Sequence, residues 1–102
     1  MTAKFVLIRY VEAKTSTAHA ATALNRLDAE INAVHHDAAA LSEKERRAFY
    51  ASKNLLAKTR QRERMESAYN SALAAEKAAR EKWAKVAATM TTDQLRHLRM
   101  KF

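Results

Sequence analysis

From Thr17 to Leu41 the apolar positions return in alternating steps of three and four. Thr17, Ala20, Leu24, Leu27, Ile31, Val34, Ala38 and Leu41 follow that spacing, and Ala13, Tyr10 and Val6 extend it backwards. Such steps put side chains on one stripe of a helix, the seam of a heptad pattern. Asn25, Arg26, Asn32 and Asp37 fall on the opposite face. A first helix over about 3–37 is therefore expected, lying along its stripe against another helix. Two stretches qualify it. Lys4 to Val11 is rich in β-branched and aromatic residues, which suit a strand, but the stripe runs through Val6 and Tyr10 and favours helix. Thr15-Ser16-Thr17 sets three hydroxyls in a row, a pattern of caps and kinks, so a restart or a kink of the helix is expected at 15–17.

A second seam steps through Met65, Tyr69, Ala72, Glu76, Ala79, Trp83, Val86 and Met90. Ala48, Phe49, Leu55 and Leu56 form a broader apolar set upstream, slightly rotated from it. From Ser42 to Met90 there is no glycine or proline, and Thr59, Val86 and Thr89 are the β-branched residues. Ser42-Glu43-Lys44-Glu45 opens the run with capping-box spacing, in which the Ser42 hydroxyl accepts from the Glu45 N–H and the Glu45 carboxylate reaches back to the Ser42 N–H. Glu43 and Arg47, Glu76 and Arg80, and Glu81 and Lys85 each place an acid four residues before a cation, the favourable order on a helix. The expectation is one helix over about 42–90, roughly 45 to 50 residues and about 70 Å long.

The connection between the two seams is short. His35-His36-Asp37 is read as the end of the first helix, because Asn, Asp and His tolerate a left-handed closing residue where glycine is absent. The reversal is placed between His35 and Glu43, with Leu27, Ile31 and Val34 facing the Phe49 to Leu56 region. Thr91-Thr92-Asp93-Gln94 repeats the capping spacing. Leu95, Leu98 and Phe102 then share a face, with Arg96, Arg99 and Lys101 on the solvent side, giving a short helix over about 92–102. The fold class is all-α: a long antiparallel helical hairpin, coiled-coil-like, with a short C-terminal helix, in a single helical domain over 1–102.

Composition thins the expected core. Hydrophobic residues make up 48% of the 102 positions. Twenty-three of them are alanine, and Leu, Ile, Val and Phe together number eighteen. Alanine favours helix and close approach, so the interior is a narrow seam. A homodimer or another protein is a candidate to complete the burial. No cysteine is present, which removes disulfides and thiol chemistry and fits a reducing, cytoplasmic compartment. No signal peptide or membrane span is expected.

Charge narrows the function classes. The net charge is +8, and all of the excess lies in residues 42–102, with fifteen basic and seven acidic side chains against four and four in residues 1–41. That asymmetry points to an acidic partner. The densest stretch is Lys58-Thr59-Arg60-Gln61-Arg62-Glu63-Arg64. Arg60 and Arg64 share a face, while Lys58 and Arg62 fall where the seam wants apolar residues. Arg46 and Arg47 extend the basic character upstream. The reading is a partner-binding surface made of Lys58, Arg60, Arg62, Arg64, Arg46 and Arg47, with Arg60, Arg62 and Arg64 largely exposed. A solvated helix face accounts for the same residues. A third role is structural: such arginines hold the hairpin together by pairing with Asp28 or Glu30 across the seam.

Catalysis is not expected. Without glycine there is no P-loop, dinucleotide fingerprint or nucleophile elbow. Adjacent His35 and His36 diverge on a helix and have no metal-ligand spacing, so neither a metal nor a cofactor is expected. Tyr69, Met65 and Trp83 sit on seam spacing and read as core. Glu76 interrupts the seam, either pairing across it or reaching out to solvent. The expected function is a non-enzymatic binding protein that inhibits, recruits or scaffolds a larger protein with an acidic surface. The alternative is a nucleic-acid binder that sets Lys58, Arg60, Arg62 and Arg64 against phosphates.

Overall fold

The computed structural model describes residues 2–99. The fold is all-α, an antiparallel helical hairpin with a short C-terminal helix. Its elements are α1 (Ala3–Ala38), α2 (Glu43–Ser52), α3 (Leu55–Ala87) and α4 (Thr92–Arg99).

α1 starts at Thr2, whose hydroxyl accepts from the Phe5 N–H at 3.2 Å. Residues 4–11 are helical. The hydroxyls at 15 and 17 do not break the chain, because each donates back to a carbonyl one turn earlier: Thr15 to Val11 and Thr17 to Ala13, both at 3.0 Å. A hydroxyl satisfied in this way leaves the helical ladder intact. The seam itself is observed. Val6, Thr17, Leu24, Leu27, Val34 and Ala38 are buried, and Tyr10, Ala13, Ala20, Ile31 and Leu41 are half-buried.

α1 ends at Ala38, and no left-handed residue closes it. Ala39 and Leu41 donate to the carbonyls of His36 and Ala38 in tight turns. The Arg46 side chain then takes two carbonyls of the turn, Ala38 at 3.3 Å and Leu41 at 3.2 Å. Orphan carbonyls at a helix end need donors, and a cation is well placed against the negative end of the dipole. Ser42 caps α2 as expected, its hydroxyl accepting from the Glu45 N–H at 3.3 Å. The return bond differs: the Glu45 carboxylate accepts from the Ser42 hydroxyl at 2.8 Å, not from its N–H.

The expected single helix over 42–90 is interrupted. α2 stops at Ser52, and Asn54 has φ 51°, the only positive φ of a non-glycine residue among the described residues. The Phe49 carbonyl accepts both the Ser52 hydroxyl, at 2.7 Å, and the Lys53 N–H, at 3.0 Å. Asn54 takes the left-handed conformation, which asparagine tolerates better than most residues. Its carbonyl accepts from the Lys58 N–H at 3.0 Å, so α3 begins at once.

The chain forms two compact units. One comprises Met1–Ala18 and Ser71–Phe102, described over 2–18 and 71–99. Here the start of α1 packs antiparallel to the end of α3. Val6, Leu7, Trp83 and Leu98 are its buried core, with Ala3, Tyr10, Val86, Ala87, Met90 and Leu95 packed around them. The Thr17 hydroxyl also lies 3.2 Å from the Ala72 carbonyl, a polar tie between the helices. α4 opens on a complete capping box. The Gln94 N–H donates to the Thr91 hydroxyl at 3.2 Å, and the Thr91 N–H donates to the Gln94 side chain at 2.9 Å. Leu95 and Leu98 face the core as expected. Phe102 and Lys101 lie outside the described residues.

The other unit is His19–Asn70. Leu24, Leu27, Val34 and Ala38 are buried there, Ala38 completely. The pairing is offset from the expected one. Leu27 shares a shallow groove with Gln61 and Met65, not with the Phe49 to Leu56 region. Tyr50 is reached instead from the end of α1, where the His35 and Tyr50 rings meet edge-on at 5.4 Å between centroids. His35 Nδ1 is 3.2 Å from the Tyr50 hydroxyl. Among the described residues no helix is long and apolar enough to cross a membrane.

Candidate partner-binding surface

The six basic residues singled out from the sequence fall into three environments. Arg46 is half-buried and committed to the turn after α1 through Ala38 and Leu41. Lys58 and Arg62 continue the α3 seam upstream of Met65 and are half-buried on it. Arg60, Arg64 and Arg47 are exposed.

Arg62 departs from its expected exposure. Its Nε donates to the Asp28 carboxylate on α1, and its Nη1 donates to Glu66 at 2.8 Å on α3. The two partners of the Arg62–Asp28 pair keep 36% and 35% of their side-chain surface. A cation on a seam needs an acid to face, and Asp28 lies next to Leu27, at the edge of the α1 stripe. The hydrogen bond to Asp28, then its charge, then Glu66, hold the Arg62 guanidinium above its ordinary pKa, against a small desolvation effect. A raised cationic pKa means that the pairing, wherever its carboxylates are ionised, favours the folded state below the ordinary arginine range. Arg62 is thus a structural residue, which is the third role raised from the sequence.

The exposed electropositive face is correspondingly narrower. Arg60 and Arg64 stand one turn apart on α3. Arg47 is paired along α2 with Glu43 at 2.9 Å, both side chains 81% exposed, which holds it only weakly. Of the three helical acid–cation pairs expected, this one forms, and Glu76–Arg80 and Glu81–Lys85 make no ion pair among the described residues. Glu76 is half-buried on the seam without an ionic partner.

An apolar feature lies beside the arginines. At the Asn54 break, Tyr50, Ala51, Leu55, Leu56 and Arg60 line an open groove of about 660 Å³. Leu56 is 66% exposed, the most exposed large apolar side chain described. The groove lies at the break, with Asn54 among its lining residues. Lys53 lies over the Phe49 ring at 5.7 Å near the same corner. The sequence showed Leu56 as part of an apolar face, and the missing signal was Asn54.

No group of three His, Cys, Asp or Glu side chains able to hold a metal is found among the described residues. Trp83 is buried in the core. No family model, curated protein or solved structure matches this chain.

Proposed function

We propose that this is a non-enzymatic binding protein that docks on the acidic surface of a larger protein and thereby inhibits, recruits or scaffolds it. Arg60 and Arg64 supply the charge and Leu56 the apolar anchor. The observation that carries the reading is the juxtaposition of an exposed leucine with a cation in one groove. Protein interfaces combine a desolvated apolar centre with a charged rim, and arginine is enriched in them. Phosphate tracking requires only the cations and gains nothing from Leu56. Absence of cysteine suits a cytoplasmic setting.

Nucleic-acid binding is the second reading, favoured by the +8 net charge. A titration of generic duplex and single-stranded DNA across a salt series separates the two. Micromolar binding that falls steeply with salt supports nucleic acid. No binding at low salt removes it. For the protein reading, Arg60→Glu with Arg64→Glu is expected to keep helicity while weakening a partner captured by the wild type by about 2–5 kcal/mol. Intact folding with intact binding returns both arginines to a solvated face.

A further inference from the structure

The positive excess is distributed differently in space than along the chain. The unit built from both ends of the chain has nine basic and four acidic described residues, whereas His19–Asn70 has nine and seven. In the more basic unit, α1 and α3 leave a groove of about 520 Å³ between them. Its floor is alanine, Ala75, Ala78 and Ala79, and its wall is Phe5, which is 40% exposed. Arg9 and Lys82 stand on its rim, and no acidic residue lines it. The Arg9 guanidinium is stacked over the Phe5 ring at 4.9 Å, so one rim cation is already positioned.

This groove is on a side of the helix pair that α4 leaves open. The core that receives Leu95 and Leu98 and the lining of the groove have only Val6 in common. Exposed alanines on α3 let another backbone come close, and two antiparallel helices flanking a channel present ridges into which a third helix packs. A helix with an apolar stripe would cover Phe5 and the alanine floor, and carboxylates at its edges would meet Arg9 and Lys82. A second copy of this chain is disfavoured as the occupant, because it would bring +8 against a basic rim. From the exposed apolar floor, the cationic rim and the lack of any acid in the lining, we infer that this groove is a docking site for an acidic amphipathic helix of a partner protein. It goes beyond the Arg60 and Arg64 surface and stands whether or not those residues bind anything.

The probe is a fluorescently labelled acidic peptide of about 20 residues, roughly 30 Å as a helix, with a leucine stripe on a glutamate background. A scrambled peptide of equal composition, without the stripe, is the control. Anisotropy titrations with the full chain are expected to show micromolar binding of the striped peptide and about tenfold weaker binding of the scrambled one. Arg9→Glu, Lys82→Glu and Ala78→Glu, all at exposed positions, are each expected to weaken the striped peptide about tenfold or more with circular dichroism unchanged. Arg60→Glu with Arg64→Glu is expected to leave it unchanged, which separates this groove from the Arg60 and Arg64 surface. Equal binding of the two peptides, or binding indifferent to Ala78→Glu, overturns the proposal. So does a dimer, seen by sedimentation, that the same three substitutions dissociate, and so does duplex DNA binding lost through them. Should Arg9→Glu lower helicity, Lys82→Glu and Ala78→Glu give the reading alone.

Discussion

Arg62 on α3 donates to Asp28 on α1, and this pair joins these two helices within the His19–Asn70 unit at a position where the seam has no apolar side chain. A shift of either helix by a turn would take Asp28 away from the half-buried guanidinium and leave it Glu66 alone. The pair is expected to show coupling in a double-mutant cycle. Asp28→Asn and Arg62→Gln each lower the melting temperature, and the double variant lowers it by less than the two effects added. Additive effects would show that the pair contributes nothing beyond its separate side chains.

Two leucines give opposite expectations from burial alone. Leu27 is 6% exposed and Leu56 is 66% exposed. Leu27→Ala is expected to cost about 2–4 kcal/mol in denaturant unfolding. Leu56→Ala is expected to stay within about 0.5 kcal/mol of wild type. A large cost at Leu56 would show that its side chain is covered in solution.

Ser42 carries the entry to α2. Its hydroxyl accepts the Glu45 N–H and donates to the Glu45 carboxylate. Ser42→Ala removes both bonds, and the expected loss is about 1 kcal/mol. Ser42→Asp keeps the acceptor and suits the helix dipole, but sets a second charge against Glu45, so its melting temperature is expected between those of wild type and Ser42→Ala. An unchanged melting temperature in Ser42→Ala would place the start of the helix elsewhere.

Much of this architecture was legible because the chain repeats one simple rule. Every seam position from Val6 to Leu41 is buried or half-buried, since spacing by three and four has one structural meaning over so long a window. Both caps were readable for a similar reason: they are local, and each hydroxyl accepts the expected N–H, although the Glu45 carboxylate binds the Ser42 hydroxyl and not its N–H. The register was not readable. Two seams of similar periodicity pair almost as well when displaced by a turn, and Leu27 came to lie beside Gln61 and Met65. Arg46 was missed as a turn residue because its acceptors are backbone carbonyls, which carry no residue-type signal. The groove at Phe5, Arg9 and Lys82 joins residues more than seventy positions apart, so no local pattern announces it.

Asn54 is where the sequence was read most wrongly, and it supplies the strongest test. The helix-forming run around it is long, so a single asparagine weighed little beside it. The structure places it at φ 51°, between α2 and α3. A residue with a Cβ pays about 1–2 kcal/mol in that conformation, asparagine less than most, and glycine almost nothing. Asn54→Gly is therefore expected to be neutral or slightly stabilising, and Asn54→Ala to destabilise by about 1 kcal/mol. Alanine also offers an escape, since it favours continuing the helix through 53 and 54. If the chain takes it, helicity by circular dichroism rises and the groove at the break is lost. The two routes separate in one experiment. Loss of stability at constant helicity keeps the break, and a gain in helicity removes it. Asn54→Gly less stable than Asn54→Ala, with helicity equal in both, would mean that position 54 is not left-handed in solution. The Leu56 and Arg60 groove would then lose its structural basis.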